Sequence, residues 1–478
     1  MTLDNVDVDA TIERAEALLK AEKNLSPALR STMEIVLLLV SLLVKRLNLN
    51  SKNSSKPPSS DPDREKKTRS KGQRKPGGQE GHQGSTLEKF EDPDDIQHIE
   101  IDRRTLPEGH YREAGFEARQ VVEIDIARLV TEYRAQVLVN EAGQRFVAAF
   151  PEKVSRPVQY GDTIKAHAVY LSQFQLLPYN RIADYFKDQL AIPLSEGSIY
   201  NFNVEAAALV TSSGAEAVIK QHLQEAECLH VDETGINIGG KKHWLHGAST
   251  PQWTYFYPHQ KRGTDAMDAA GILPGFTRIL CHDHWKPYYT YSDCLHALCN
   301  AHHLRELERA WEQDEQQWAK AMQDLLKRIN IAVLNAGGQL SAKEAEPYRT
   351  DYKKLLRNAE KECPPPDEAQ RKPGQRGKLK RSKARCLLDR LIDYENDVLR
   401  FMENETVPFT NNQGENDIRM TKVQQKISGC FRSMEGAQIF CLTRSYISSC
   451  RKQTIRATEA LTSLFMGKLP GIFLSGAE

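Results

Sequence analysis

The 478-residue sequence lacks the features that would place it in a membrane or in an oxidising compartment. Its longest apolar stretch, Ile35–Val44, has ten residues, whereas a helix that spans a bilayer needs about 20. The N-terminal segment MTLDNVDVDA is acidic and does not show the basic and then apolar order of a secretory signal. The nine cysteines include no CxxC pair, which favours reduced thiols over a disulfide framework. These absences predict a cytoplasmic protein without a membrane partner.

An excess of one charge is missing as well. The 65 Lys and Arg residues and the 64 Asp and Glu residues leave a formal net charge of +1, so a nucleic-acid partner must be inferred from where charges cluster. No GxxxxGK[ST] motif is present, which argues against chemistry that requires ATP. The length exceeds what one hydrophobic core supports and predicts several domains.

The first 50 residues predict a helix that associates with a partner. Ser26 followed by Pro27 is typical of an N-cap and of the first helical position. Apolar residues then follow at alternating spacings of four and three, the a/d pattern of a coiled coil: Leu29, Met33, Val36, Val40, Leu43 and Leu47. We expect a leucine-zipper-like helix in residues 1–50 that makes the chain a homo-oligomer. Packing on the chain's own core is the alternative, because Leu37–Leu39 widen the apolar face.

Residues 51–89 have the composition of a basic flexible linker. Lys52 to Lys75 contain nine Lys and Arg against three Asp and Glu, and no large apolar residue. Arg74 and Lys75 are therefore candidates for contacts with DNA phosphates, with a merely solvated linker as the alternative.

The next two segments predict a small β-rich module and a helical region. In residues 90–155, β-like stretches at 121–126 and 131–139 lie between polar turns. In residues 156–222, a helix over 179–190, a short turn and a second helix from Ser195 resemble helix-turn-helix geometry. This predicts a DNA-binding region, although plain helical hairpins give the same pattern.

Residues 223–311 place two aspartates at the ends of apolar strands. The strand in AECLHVDETG ends at Asp232 and is followed by a Gly239–Gly240 turn and two more strands, and the strand in FTRILCHDHW ends at Asp283. With the helical TDAMDAAGIL and the strand and helix of LHALCNAHHLRELERAW, the predicted order is β-β-β-α-β-β-α. Two carboxylates at neighbouring strand ends suit a hard divalent cation. Glu233 points to the other face of its strand and is assigned a supporting or structural role.

A third carboxylate is predicted on a helix in residues 409–450, which precede a C-terminal segment, 451–478. In TNNQGENDIRMTKVQQKIS, Thr410 or Asn411 caps the helix and Glu415 lies in its early turns. Glu415 would complete the metal site. Basic residues three or four positions apart on this helix are expected to contact the DNA backbone: Arg419, Lys422 and Lys426.

Residues 312–408 predict an α-helical insertion between the second aspartate and the glutamate. Within it, RKPGQRGKLKRSKAR has eight basic residues and no acidic residue. A run of this kind is expected to bind DNA through Lys378, Lys380 and Arg381, with a solvated loop as the alternative.

The segments HVDETG, HDHWKPYY, CNAHHLRELE and TNNQGENDIRMTK resemble those of the DDE transposases of the insertion sequence 66 family. The resemblance implies a bacterial enzyme with an α/β ribonuclease-H-like core, Asp232, Asp283 and Glu415 as catalytic and metal-binding residues, and His302 in a supporting role. It also implies Mg²⁺ or Mn²⁺ as cofactor, double-stranded DNA as substrate, and small accessory proteins as partners. The family commonly has a cysteine-bearing, zinc-finger-like module after the GGQ-GH segment. Here the first cysteine is Cys228, so we expect no zinc.

The sequence supports one main functional hypothesis and several alternatives. The main one is metal-dependent strand cleavage and strand transfer of an insertion sequence in the cytoplasm, at the nucleoid. A nuclease without joining activity and a catalytically inactive, transposase-derived DNA-binding regulator are the first alternatives. A zinc hydrolase is disfavoured because the histidines lack the HExxH spacing.

Overall fold

The computed structural model describes residues 2–3, 6–22, 24–47, 49–50, 52–54, 87, 89–124, 126–367, 369, 371 and 379–474. These residues form a mixed α/β structure. Its helices are α1 (Val8–Ala21), α2 (Pro27–Leu47), α3 (Asp162–Val169), α4 (Tyr179–Leu190), α5 (Glu196–Ser212), α6 (Ala215–Gln224), α7 (Thr264–Ala270), α8 (Asn300–Asp314), α9 (Gln317–Asn335), α10 (Ala342–Glu362), α11 (Lys383–Asp393), α12 (Glu395–Glu403), α13 (Asn412–Ser428), α14 (Met434–Lys452) and α15 (Ala457–Phe465). Its strands are β1 (Thr2–Leu3), β2 (Val6–Asp7), β3 (Val137–Val139), β4 (Arg145–Val147), β5 (Cys228–Ile238), β6 (Lys241–Ser249), β7 (Thr254–His259), β8 (Ile279–His282) and β9 (Leu295–Leu298).

A mixed five-stranded sheet with the order β7-β6-β5-β8-β9 holds the centre of the chain together. Strands β5, β6 and β7 form an antiparallel meander, and β8 and β9 run parallel to β5. Gly239 and Gly240 build the tight turn between β5 and β6, with φ values of 57° and 81° that side-chain-bearing residues rarely adopt. The central strand β5 therefore has an antiparallel neighbour on one side and a parallel neighbour on the other.

Helices cover both faces of this sheet. On one face, Leu229 and Val231 belong to a core that includes apolar residues of α5, α14 and α15. On the other face, Cys228 and Cys281 pack into a second core with α8 and with the helices α9 to α12, which lie between α8 and α13 in the chain. The residues of β8 are all buried, as expected of a parallel strand covered on both sides.

Several helix starts follow the capping rules read from the sequence. Helix α2 begins at Pro27, and the Leu29 N–H donates to Ser26 Oγ at 3.2 Å. Helix α4 has the predicted bounds, and Ser195 caps α5 by accepting the Ser198 N–H at 3.0 Å. These helix starts are confirmed. They could be predicted because each depends on residues that are close together in the chain.

Two expectations about strands are wrong. The strand predicted to end at Asp232 continues to Ile238, because its second half pairs with β6 through the Gly-Gly turn. In residues 90–155, the described part of the predicted strand at 121–126 is not β-structure, and only 137–139 of the second stretch pairs, in a two-stranded hairpin. Every residue of that hairpin is exposed, so no buried side chains stabilise longer strands there.

Helix α2 is more apolar over its length than its longest apolar stretch indicates. Its segment Pro27–Val44 has a mean hydropathy of 1.8, and length and composition alone would allow it to cross a membrane. The ten-residue stretch therefore understates how long the apolar part of the helix is. Core helices of soluble proteins and signal sequences also satisfy this test of length and hydropathy. Many of its large apolar side chains are exposed, among them Leu38 and Leu43 at about three-fifths of their maximal area. The helix has an uncovered apolar face.

Candidate active site

Asp232 and Asp283 are brought side by side by the parallel pairing of β5 with β8. The register pairs His230 with Cys281 in the two strands. Two residues further along, the same register places Asp232 opposite Asp283, which directly follows the end of β8. The two carboxylates therefore lie on the same face of the sheet, at the point where the parallel neighbour of β5 ends.

Backbone N–H groups orient both carboxylates. The Glu233 N–H donates to Asp232 Oδ1 at 2.9 Å, and the Trp285 N–H donates to Asp283 Oδ1 at 2.9 Å. The second bond closes a turn just after β8, so Asp283 is held by its own local backbone. In each case one carboxylate oxygen is bound by the protein, and the other can serve a ligand.

Glu415 reaches the same region from the first turn of α13. This helix lies across β5 and β6, where Ile418 packs over Gly247. A Cβ atom on Gly247 would lie 3.6 Å from Ile418 Cδ1, so the glycine allows a close approach of the helix to the sheet. The position of Glu415 is thus set by packing between elements that are distant in sequence.

Asn411 anchors the start of α13 to the central strand. Its buried Oδ1 accepts a hydrogen bond from His230 Nδ1 at 2.7 Å, and its Nδ2 donates to the Val231 carbonyl at 2.8 Å. The sequence predicted Asn411 or Thr410 as the helix cap; Asn411 occupies that position, but its side chain makes no cap hydrogen bond and turns into the sheet. A Cβ atom on Gly414 would lie 3.2 Å from the Asn411 side chain, so glycine accommodates this anchor before Glu415.

The carboxylates concentrate negative charge in a buried place. Burial, and then the charges of Glu233, Asp283 and Glu415, raise the pKa of Asp232 to about 8. No Lys or Arg lies within ion-pair distance of Asp232 or Asp283 in the part of the chain that the structure describes. Oxygen ligands with uncompensated negative charge are the donor set that Mg²⁺ and Mn²⁺ prefer. The residues present therefore fit a hard divalent cation.

Replacing Asp232 with Asn is expected to stabilise the metal-free protein in a pH-dependent way. The native state keeps a proton on Asp232 up to about pH 8, while the unfolded state loses it near its ordinary pKa, so the wild type loses stability as pH rises between these values. In EDTA, Asp232→Asn should gain on the order of 2 kcal/mol more over wild type at pH 8 than at pH 5.5. Thermal unfolding of both proteins measures this. A gain that does not grow with pH would contradict the charge cluster, and Asp293→Asn, at an exposed position, serves as the control.

A thiol, an imidazole and a guanidinium surround Glu415 on the side of α8. Cys299 Sγ, His302 Nδ1 and Arg305 Nη2 lie 3.9, 3.7 and 3.9 Å from Glu415 Oε1. Burial raises the pKa of the Cys299 thiol to about 11 and lowers the pKa of His302. The sequence singled out His302 but not Cys299, although both belong to the CNAHH segment.

Glu233 has a different environment on the opposite face of β5. Its side chain is almost fully buried, pairs with Arg262 and accepts the Tyr288 hydroxyl at 2.6 Å. Arg262 is in turn stacked between Trp244 and Trp285, 4.8 and 4.2 Å from the ring centroids. Burial and the charge of Asp283 raise the pKa of Glu233. Sequence reasoning missed Arg262, because its partner Glu233 lies 29 residues away in the chain.

Comparison with known protein families assigns the chain. A family model described as Transposase IS66 family matches residues 157–439, which is more than half of the 478 residues and contains all three carboxylates. The chain belongs to the IS66 transposase family. It is thus a DNA-acting transposase of the insertion-sequence type. A second model, described as a family of unknown function (DUF6444), matches residues 7–88. No curated protein matches the chain.

The candidate DNA-binding cations of this IS66 transposase are in different situations. On α13, Arg419 and Lys426 are exposed, whereas Lys422 donates to the Gly235 carbonyl and burial lowers the pKa of its ammonium group. In the insertion, Lys380 is exposed and Arg381 forms an ion pair with Asp389. The remaining candidates lie outside the described residues: Arg74, Lys75 and Lys378.

Proposed function

We propose that this IS66 transposase is a DDE enzyme that cleaves DNA strands and joins them to a target in a metal-dependent reaction, with Asp232, Asp283 and Glu415 as the catalytic and metal-binding residues. The observation that carries the proposal is the convergence of three carboxylates from β5, the end of β8 and the first turn of α13. Their proximity is expressed in the raised pKa of Asp232, which results from burial and from the negative charges beside it.

We also assign the catalytic core to the ribonuclease-H-like class. An antiparallel meander β5-β6-β7, followed by α7 and by two strands parallel to β5, supports this assignment. The helices between α8 and α13 pack on one face of the sheet through a core that they share with β5, β8 and β9. Residues 223–311 and 409–450 form the core in this proposal, and 312–408 form the insertion.

The three carboxylates would hold two Mg²⁺ or Mn²⁺ ions. When bound, such ions supply Lewis-acid stabilisation of the attacking and leaving oxygens in an in-line displacement at phosphorus. The chain itself contributes orientation: the Glu233 and Trp285 N–H groups hold Asp232 and Asp283, and Asn411 holds the helix that carries Glu415. A 3′-OH released by hydrolysis can take the place of water in the second reaction, so the same carboxylates serve cleavage and joining.

DNA is proposed to run along the exposed side of α13 and the insertion. Arg419 and Lys426 follow Glu415 on the same helix, so a strand whose phosphate lies at the carboxylates would pass these cations. Lys422, bound to a backbone carbonyl, and Arg381, paired with Asp389, keep further N–H donors with which they would contact phosphate. Arg74, Lys75, Lys378 and Lys380 would add sequence-independent attraction, and Glu233 and His302 would support the carboxylates.

The N-terminal helix α2 is proposed to make the transposase a homo-oligomer in the cytoplasm, at the nucleoid. Its exposed apolar face and its heptad spacing support this role. Deleting residues 1–50 should therefore lower the oligomeric mass measured by light scattering in detergent-free buffer. Circular dichroism controls for loss of fold, and an unchanged mass would assign assembly to another surface. Small accessory proteins remain proposed partners.

The proposed function is tested with labelled DNA that carries the ends of the element that encodes the protein. Wild type and Glu415→Gln are incubated with this DNA in Mg²⁺ or in EDTA. We expect nicked and joined products only for wild type in Mg²⁺. Nicked DNA without joined products would indicate a nuclease that lacks joining activity. DNA binding without nicks would indicate a catalytically inactive DNA-binding regulator.

A further inference from the structure

Three donor atoms of different chemistry meet at the first turns of α8 and α13. Cys299 Sγ and His302 Nδ1 lie 3.9 and 3.7 Å from the same oxygen of Glu415, and the donor atoms of all three residues lie within 4.8 Å of one another. With metal–sulfur bonds of about 2.3 Å and metal–nitrogen or metal–oxygen bonds of about 2.0–2.1 Å, neighbouring donors on a tetrahedral zinc ion are about 3.3–3.6 Å apart. The two distances to Glu415 exceed this spacing by only a few tenths of an ångström.

The Cys299 thiol donates to Glu415 Oε1, and the hydrogen bonding of the cluster leaves one ring nitrogen, His302 Nδ1, to be satisfied. His302 Nδ1 is buried and has no hydrogen-bond partner among the described residues, an uncommon situation for a buried polar atom unless a ligand binds it. Cys299 Sγ accepts the Asn411 N–H at 3.1 Å, and Cys299 is the N-cap residue of α8. N–H donors and a helix N-terminus stabilise a thiolate, which is the form of cysteine that binds metal.

We propose that Cys299, His302 and Glu415 form a binding site for a borderline transition-metal ion such as Zn²⁺. Thiolate and imidazole donors favour such an ion over Mg²⁺, which prefers oxygen ligands. Binding replaces the thiol proton, which leaves to water, by a sulfur–metal bond. Metal binding here does not depend on the proposed function. The effect of this metal on catalysis does rest on the proposed function. An ion held by Glu415 at this site would compete with a Mg²⁺ or Mn²⁺ ion held by Glu415 together with Asp232 and Asp283.

The expectation of no zinc came from short sequence motifs. It rested on the absence of cysteines from the segment after GGQ-GH and of a CxxC pair, whereas this donor set joins Cys299 and His302, three residues apart, to Glu415, which is 116 residues from Cys299. Only the packing of α13 against the start of α8 brings the carboxylate to the other two groups.

Cadmium titration of the full-length, reduced and metal-free protein tests the site, because thiolate-to-cadmium charge transfer absorbs in the ultraviolet. We expect a band that saturates with a single ion per chain and that excess Mg²⁺ leaves unchanged. The band should be absent from Cys299→Ser and present in Cys430→Ser, which removes an exposed thiol outside the cluster. His302→Gln keeps the thiol and should weaken cadmium binding by at least about tenfold.

Serine is itself a good N-cap, so Cys299→Ser is expected to keep the start of α8, and circular dichroism and thermal unfolding verify its fold. A band that persists in folded Cys299→Ser overturns the proposal, as does the absence of a saturable band in wild type. If His302→Gln binds cadmium with the affinity of wild type, His302 is not a ligand and the three-residue site is overturned. If the protein shows the Cys299-dependent band but does not cut DNA, only the proposed function is rejected. If it cuts DNA but shows no such band, only the proposed transition-metal site is rejected.

Discussion

Asp283→Asn is expected to abolish DNA cleavage while leaving DNA binding nearly unchanged. The amide keeps the size of the side chain and an oxygen that can accept the Trp285 N–H, so the turn after β8 should persist. It removes one negative charge from the carboxylate cluster, and with it the ability to hold a divalent cation that contributes several kcal/mol to the transition state. We expect the cleavage rate to fall at least about a thousandfold.

The measurement pairs a single-turnover cleavage assay in Mg²⁺ with a DNA-binding titration at the same salt concentration. Asp293→Asn is the matched control, because Asp293 is an exposed aspartate ten positions further along the same segment. It should cleave as wild type does. Cleavage by Asp283→Asn at a wild-type rate would reject the proposed metal site, whereas loss of DNA binding would indicate a wider structural defect.

Asn411→Ala is expected to lower both stability and cleavage. The substitution leaves two buried groups, His230 Nδ1 and the Val231 carbonyl, without their partner. Each such group costs about 1–3 kcal/mol, so the free energy of unfolding should fall by about 3 kcal/mol. Because the side chain also positions the start of α13, Glu415 should move, and a small misplacement of a catalytic group costs roughly a hundredfold in rate.

Two further variants distinguish the loss of the Asn411 hydrogen bonds to β5 from a general effect of substitution at the start of α13. Asn412→Ala changes the neighbouring, exposed asparagine and should leave unfolding and cleavage nearly as in wild type. Asn411→Asp keeps the oxygen that accepts from His230 but places a second carboxylate oxygen against the Val231 carbonyl and adds a buried negative charge, so it should lower stability at least as much as Asn411→Ala. Thermal unfolding in EDTA and cleavage in Mg²⁺ are the readouts. Equal effects of Asn411→Ala and Asn412→Ala would contradict the anchoring role.

Local rules predicted the parts of the site that depend on neighbouring residues. The buried strand that ends just before Asp283 and the helix that carries Glu415 in its first turn both lie where the sequence placed them. Ser26 caps α2 as expected, and α5 begins directly after Ser195, close to the predicted start of the second helix. Apolar runs, turn residues and caps act within a few residues, so a single sequence carries this information.

The contacts of the site could not be predicted because they join residues far apart in the chain. Asn411 has the sequence pattern of a helix cap, but the pairing of α13 with β5 turns its side chain toward His230. Arg381 lies in a run of basic residues, yet α11 supplies Asp389 as its partner. The same limitation applies to residues 121–126, whose β-like composition finds no neighbouring strand among the described residues.

Short patterns of apolar, acidic and turn residues were enough to predict the order of the strands and helices around the candidate site and to select three carboxylates as candidates. Which side chains lie together depends on the pairing and packing of distant segments. Parallel pairing of β5 with β8 places Asp283 beside Asp232, and packing of α13 across β5 and α8 brings Glu415 to both aspartates and to Cys299 and His302. The physical reason is that pairing register and helix packing result from long-range burial, which brings together residues that no local pattern relates.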